Sequence, residues 1–512
     1  MRYIEASSKG VYRIILIVGA LMSESLNKKS SKAVAWSSVT EIMAKLITPI
    51  VNIVLARVLA PDAFGAVATI TMVITFAEVF TDAGFQKYII QHDFKDEDSL
   101  NKSTNVAFWT NFVFSCFVVA IIAVFRNPIA NLIGSPGLGN AIAVASVSII
   151  LAAFSSIQMA RFKRSFDFKS LFFVRIGSSL IPLVVTVPLA FIFRNFWALV
   201  IGTLASHLFN AVALTVKSKW KPRFFYSFDL FKEMFSFSAW TLLESMVIWL
   251  TVNVDIFILG TTLDDYHLGL YKTSMTTVNS YMSIISAAIV PVLFSTLSRN
   301  QDDYNAFRST FYKFQKYTAI LVLPMSVGMF LFSDLVVKIL LGSQWTEAAG
   351  FVGLWALMSG VTILFSNFSS EVYRSKGNPK LSMFAQTLHI AFLVPAILIA
   401  KNYSFQALYI TRSLLRLQFI VVNLVIMRVS YKFKISKSLA NIFPAFISTA
   451  VMFGVGFITK GLFSEIWWQI ISVVICIIVY FAVLLLCFPK IMRELTSTEY
   501  YLKIKRKFKK GK

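Results

Sequence analysis

The chain has 512 residues, 57% hydrophobic and 14% charged, where a soluble protein carries about a quarter charged residues. It is also strongly basic, with 49 Lys and Arg against 25 Asp and Glu and a formal net charge of +24. Nucleic-acid binding would explain the charge but not the apolarity, and three cysteines (Cys116, Cys476 and Cys487) exclude a disulfide scaffold.

Residues 1–33 are read as a cytoplasmic N-terminal segment. Ile14 to Met22 is apolar but too short to span, and no small-x-small cleavage site follows, so residues 1–21 are read as an extension upstream of a start at Met22. From there, apolar runs of the roughly 20 residues needed to cross hydrocarbon recur along the chain. The first six lie at 34–57, 63–90, 105–125, 139–160, 170–193 and 196–216. A basic linker, 217–232, leads to six more at 233–260, 267–297, 317–341, 347–370, 381–400 and 403–427. Two further spans, 439–459 and 465–488, fall in the segment 428–488, before a basic tail at 489–512. Backbone groups in lipid must be bonded internally, and no ten-residue alternation of a barrel is present, so the spans are read as helices.

The basic residues orient this layout. Of the 49, six (Arg57, Arg126, Arg194, Lys338, Lys401 and Lys460) fall on one side, and five (Lys45, Arg175, Lys272, Arg412 and Arg416) fall within spans. The rest gather on the side of both termini, which the positive-inside rule makes cytoplasmic. The tail run from Lys503 to Lys510 is expected to touch anionic headgroups of membrane lipids. Trp109, Trp197, Trp345, Trp467 and Trp468 stand near span ends, as interfacial anchors do.

The chain also resembles itself at an offset of 204 residues. Ala35-Trp36 aligns with Ala239-Trp240, Leu46 with Leu250, Leu55 with Leu259 and Gly65 with Gly269. Six spans separate the copies, which makes this a parallel repeat about an axis along the membrane normal. The expected fold is an all-α polytopic membrane protein of about fourteen transmembrane helices. Two parallel six-helix lobes, 34–216 and 233–427, would enclose a cavity, with two C-terminal helices appended.

Polar side chains inside the spans mark where that cavity would lie. Ser37, Glu41, Lys45, Thr48 and Asn52 share one face of the first span, and Thr71, Thr75, Glu78 and Asp82 recur at similar spacing in the second. Glu244, Thr251 and Asp255 do so in the seventh, and Lys272, Thr273, Thr276, Asn279 and Ser283 in the eighth. Glu41 and Lys45 are also placed to neutralise each other at i, i+4. Glu78 and Asp82, one turn apart, form a proton site if they repel in the membrane, or a solvated pair if Asp82 sits at the inner interface. Arg175 either snorkels or binds an anion in the cavity. Arg412 and Arg416 share a face deeper in the twelfth span, and either pair with Glu371 or line the second lobe. His207 and His389, mid-span, read as helix–helix hydrogen-bonders. No metal spacing, phosphate loop, nucleophile elbow, zincin or kinase signature is present, so the chain is read as a transporter, with no cofactor, rather than as an enzyme.

Several segments resemble a known family. Leu55-Ala-Arg57 through Pro61-Asp62-Ala-Phe64-Gly65 is similar to the first outer loop of bacterial polysaccharide flippases of the multidrug/oligosaccharidyl-lipid/polysaccharide exporter superfamily. Thr81-Asp82-Ala-Gly84-Phe85 to Gln91 looks like that family's end of span two. Asn253-Val-Asp255 to Gly260, with Leu268-Gly269-Leu-Tyr271, looks like its spans seven and eight. Gly377-Asn378-Pro379-Lys380 looks like its loop between spans ten and eleven. The type most resembled is the lipopolysaccharide or exopolysaccharide (colanic-acid-like) exporters. The resemblance implies flipping of an undecaprenyl-pyrophosphate-linked oligosaccharide across the bacterial inner membrane, with a polysaccharide polymerase and chain-length regulator as neighbours. It makes Lys45, Arg57, Arg175 and Lys272 candidate headgroup ligands, since guanidinium and ammonium groups bind pyrophosphate. Members often carry a cation where this chain has Thr276; here Lys272 lies one turn earlier. Glu41, Glu78, Asp82, Glu244 and Asp255 are candidates for coupling to H⁺ or Na⁺. The alternatives are a cation-coupled small-molecule exporter of the same superfamily and a polysaccharide-polymerising enzyme.

Overall fold

Residues 28–82, 85–463 and 465–489 are described by the computed structural model of the chain. The N-terminal extension and the basic tail beyond 489 lie outside the described residues, as do the side chains of Glu41, Asp82 and Glu244. In chain order the α-helices are α1 (Lys28–Val58), α2 (Pro61–Asp82), α3 (Phe85–Gln91), α4 (Glu97–Val124), α5 (Arg126–Leu132) and α6 (Gly139–Arg164). Next come α7 (Phe168–Ile181), α8 (Val187–Phe193), α9 (Trp197–Lys217), α10 (Phe228–Gly260), α11 (Asp265–Arg299), α12 (Tyr304–Leu331) and α13 (Ser333–Leu340). The last are α14 (Ala349–Thr362), α15 (Phe368–Ser375), α16 (Lys380–Ala400), α17 (Phe405–Tyr431), α18 (Ile435–Leu462) and α19 (Ile466–Cys487). Among the described residues there is no strand.

Eleven of these helical stretches are long and apolar enough to cross a membrane, or twelve if the bent pair Asp265–Ala287 and Ile289–Arg299 is one span. The protein is therefore a multi-pass, all-α membrane protein. The count of about fourteen is not confirmed: among the described residues, α1 and α10, which occupy the places predicted for spans one and seven, are not among the eleven or twelve. Large apolar side chains such as Val113, Phe117, Ile478 and Leu486 project outward exposed, which water would penalise and lipid does not.

Two spans are continuous through a wider turn. α7 passes into α8 through a five-residue π-helical turn at Pro182–Thr186, where Pro182 offers no N–H and the i to i−4 ladder must adjust. Thr186 there packs against Gly202 of α9, where a Cβ would come within 1.9 Å of its Oγ1. Small residues permit such close helix approach in lipid, where packing and hydrogen bonding rather than hydrophobicity hold helices together. A second π-helical turn, Ile363–Asn367, joins α14 to α15. At the C-terminal end α18 and α19 pack on each other and on α12, with the Tyr480 hydroxyl donating to Ile320 O at 2.7 Å.

The two copies of the repeat meet where α2 and α11 cross. A Cβ on Gly65 would fall 1.8 Å from the carbonyl oxygen of Asp265, and one on Gly269 would fall 1.9 Å from that of Pro61. Gly65 is equivalent to Gly269, and Pro61 to Asp265, at the same offset. Reciprocal contact between equivalent positions is what a two-fold axis produces. This crossing lies at the end of the helices predicted to face outward, called the outer end below.

Candidate functional site

The polar faces of α1 and α11 meet. Asn52 of α1 and Thr277, Ser280 and Tyr281 of α11 line one small cavity, with Pro49 and Ile53 beside them. Lys45, deeper along α1, and Lys272, nearer the outer end of α11, are half-buried, while Thr276 and Asn279 are exposed in the middle of α11. α2 joins this surface through Thr75, whose hydroxyl donates to Thr71 O at 2.8 Å and accepts from the indole N–H of Trp249 on α10 at 3.1 Å. Glu78, one turn further along α2, is half-buried. Arg175 of α7 is exposed.

The second half holds the most charged part of the interior. Asp255 of α10 is fully buried, and its Oδ2 accepts from the Tyr271 hydroxyl and from Arg412 Nε, both at 3.0 Å. Its Oδ1 accepts the Ile256 N–H at 2.9 Å, so both carboxylate oxygens are engaged. This is the excellent geometry a buried ion pair needs to offset its desolvation. Four residues along α17, Arg416 lies over the Trp355 ring with its guanidinium carbon 3.4 Å from the centroid, and donates to Ser359 Oγ at 2.5 Å. Arg412 stands over the same ring at 5.3 Å. The Trp355 indole N–H donates to Asn279 Oδ1 at 3.2 Å, which ties this cluster to the polar face of α11. Two guanidinium groups thus share one indole, while the carboxylate of Asp255 pairs with Arg412, and the cluster carries a surplus of positive charge against α11. His389 of α16 meets Gln418 of α17 at 3.0 Å, the helix-to-helix contact expected of a lone mid-span histidine.

Two expectations are corrected. Glu371 is not the partner of Arg412 or Arg416: it pairs with Arg374 at 3.3 Å, three residues along its own helix, while Arg412 takes Asp255. Trp345 is not an interfacial anchor. It is fully buried at the outer end, and its indole N–H donates to Ala56 O at 2.7 Å.

Arg57 belongs to that same outer contact. Its Nη2 donates to Ile339 O at 2.6 Å, and Gln344 donates to Ala56 O and Leu59 O at 2.6 and 2.8 Å. The Gln344 bonds satisfy carbonyls at and just beyond the C-terminus of α1, and the Arg57 bond satisfies one at the C-terminus of α13, positions that lack a partner within their own helix. Among the sequence candidates, then, the fold gathers Asp255, Arg412 and Arg416 in one cluster, with Lys272 next to Tyr271. It places Lys45 and Arg175 in the first half and Arg57 at the outer end. Tyr271, Trp355 and Ser359 escaped the sequence reading as partners of the arginines. A tryptophan in mid-span, far from either interface, was the signal available.

The sequence family described as polysaccharide biosynthesis protein matches residues 54–350. The succinoglycan biosynthesis transport protein ExoT of Rhizobium meliloti is 23% identical over 348 residues, 68% of this chain and 70% of that protein. The teichuronic acid biosynthesis protein TuaB of Bacillus subtilis is 22% identical over 85% of this chain and 91% of its own length. Among solved structures, the lipid II flippase MurJ in an inward closed conformation superposes with a TM-score of 0.75 at 14% identity, covering 90% of this chain and 100% of that one.

Proposed function

The chain belongs to the polysaccharide biosynthesis protein family, and from that premise we propose that it carries a lipid-linked oligosaccharide, joined to undecaprenyl through pyrophosphate, from the inner to the outer leaflet of the bacterial inner membrane. The unit would then enter O-antigen, capsule or exopolysaccharide. One observation carries the reading: among the described residues, the charged cluster on α10 and α17 against α11 is cationic. Lys45, Lys272 and Arg416 are half-buried in apolar helices, while the fully buried carboxylate Asp255 is consumed by Arg412 and Tyr271. Buried cations in surplus favour an anionic cargo, and a pyrophosphate presents several acceptor oxygens to such donors.

In this reading the halves 34–216 and 233–427 rock about the cavity, both termini face the cytoplasm, and 428–488 is an addition to the second half. Lys45, Arg175 and Lys272 take the headgroup, with Arg416 behind them, and the oligosaccharide crosses along the polar faces of α1, α2 and α11. Arg57 serves the outer contact instead. Coupling to H⁺ or Na⁺ falls to Glu41, Glu78, Asp82 and Glu244, because Asp255 is held by its arginine. A polymerase and a chain-length regulator would use the delivered unit. A small-molecule exporter of cationic cargo is disfavoured by the same surplus of cations.

The test is a clean deletion in the native strain. The lipid-linked unit should accumulate on the cytoplasmic leaflet and surface polysaccharide should disappear, both restored by the gene in trans. Normal surface polysaccharide in a deletion with no paralogue would reject the proposal.

A further inference from the structure

We infer that the crossing of α2 and α11 is an outer seal that closes only because neither Gly65 nor Gly269 has a side chain, and that substrate release requires this crossing to part. The inference rests on the flippase reading for what passes the seal, but the seal itself is argued from geometry.

At both positions the atom a Cβ would strike is a backbone carbonyl of the opposite copy, at 1.8 and 1.9 Å, so no rotamer change relieves the clash. The crossing is reinforced by two docked loops that also obey the repeat. The loop ahead of α14 sits on the turn between α1 and α2: a Cβ on Gly342 would lie 3.6 Å from Arg57 Cγ, and Gln344 and Trp345 bond Ala56 O. On the other side the loop ahead of α6 sits on the turn between α10 and α11. A Cβ on Gly134 would fall 2.2 Å from Gly260 O and 2.6 Å from Thr261 Cα. Gly260 and Thr261 are the repeat equivalents of Ala56 and Arg57. Each half therefore places a loop on the other's helical hairpin, and the glycine crossing lies between the two.

Every one of these contacts joins the first half to the second. A side chain added at Gly65 or Gly269 can therefore be accommodated by separating the halves at this end, without breaking packing inside either. The expected outcome is a protein that stays folded but rests with its outer end parted. Packed contacts resist added methyl groups strongly enough to move such an equilibrium about tenfold or more.

The experiment uses the full chain in sealed, right-side-out membrane vesicles. A reporter cysteine replaces Ile53, beside the small cavity between α1 and α11, in a background lacking the three native cysteines. A membrane-impermeant maleimide is added from outside. Gly65→Ala, Gly269→Ala and the more severe Gly65→Val should each raise the labelling rate about tenfold or more, with the thermal unfolding midpoint in detergent retained. A second variant works in the opposite sense. Arg57→Cys with Ile339→Cys, bridged by a short bis-methanethiosulfonate, should arrest polysaccharide export and release it on reduction. Unchanged labelling in the folded alanine variants, or full export with the bridge in place, would overturn the inference. The labelling readout needs no substrate, so it reports on the seal even if the cargo proves to be something else. If the seal fails while the deletion strain still accumulates lipid-linked unit, the flippase reading stands alone.

Discussion

Arg412 and Asp255 stand 157 residues apart in sequence and 3.0 Å apart in the fold, with both side chains almost wholly removed from solvent. The contact staples α17 to α10, and Tyr271 extends it to α11. Removing one partner strands a charge in the interior, which costs about 3–5 kcal/mol. Arg412→Leu or Asp255→Leu alone should lower the unfolding midpoint sharply. The double variant should recover most of the loss, because two apolar groups leave no orphan charge. Thermal unfolding in detergent measures this, and a double variant as unstable as the worse single one would contradict it.

The headgroup assignment separates residues by effect. Lys45→Ala, Lys272→Ala and Arg175→Ala should each weaken binding of a polyprenyl-pyrophosphate probe. A hydrogen bond to a charged group contributes about 1.5–3 kcal/mol, or roughly one to two orders of magnitude in affinity. Arg57→Ala should leave that affinity unchanged, because its guanidinium serves Ile339 O at the outer end. Binding titrations on the purified variants decide, and Arg57→Ala losing affinity as strongly as Lys45→Ala would restore it to the headgroup set.

Trp345 contributes one N–H to the C-terminus of α1. Trp345→Phe keeps nearly all the apolar packing and removes that bond, while Gln344 still serves the same carbonyl. The expected loss is about 1 kcal/mol, the net value of one hydrogen bond. Trp345→Ala should cost more, about 3–5 kcal/mol, because a buried aromatic is deleted. Equal effects of the two substitutions would show that the indole N–H carries the contact.

Gly202 faces Thr186 in the π-helical turn between α7 and α8. Gly202→Ala should destabilise by about 1–3 kcal/mol through overpacking. Thr186→Ala in the same chain removes the Oγ1 atom lying 1.9 Å from the new methyl and should return part of that loss. Additive destabilisation in the double variant would contradict the contact.

How much of this could be read from sequence depends on the range of the interaction. Helix positions follow from local apolarity, so α18 and α19 lie within a few residues of the predicted 439–459 and 465–488. The repeat was visible through Gly65 and Gly269, but an alignment does not say that the two positions face each other. The partner of Arg412 was missed because Glu371 is nearer in sequence, whereas pairing in a bundle is decided by which helices are adjacent. Trp345 was misplaced for a related reason: nearness to a span end does not distinguish a ring facing lipid from one facing the other half. Of the five coupling candidates, the side chains of Glu41, Asp82 and Glu244 lie outside the described residues. Only Glu78 and Asp255 have a place, and Asp255 is occupied.

The reciprocal glycine contact also bears on ancestry. In a half-length forerunner assembled as a parallel homodimer, one glycine would meet its own copy's backbone across the axis, so a single mutation would strike both sides of the crossing at once. Fusion of two copies into one chain divides that position into Gly65 and Gly269, each inherited and mutable separately. From then on one half could tolerate a change that the homodimer could never have sampled alone, which gives a duplicated membrane protein a route to making its two halves unlike.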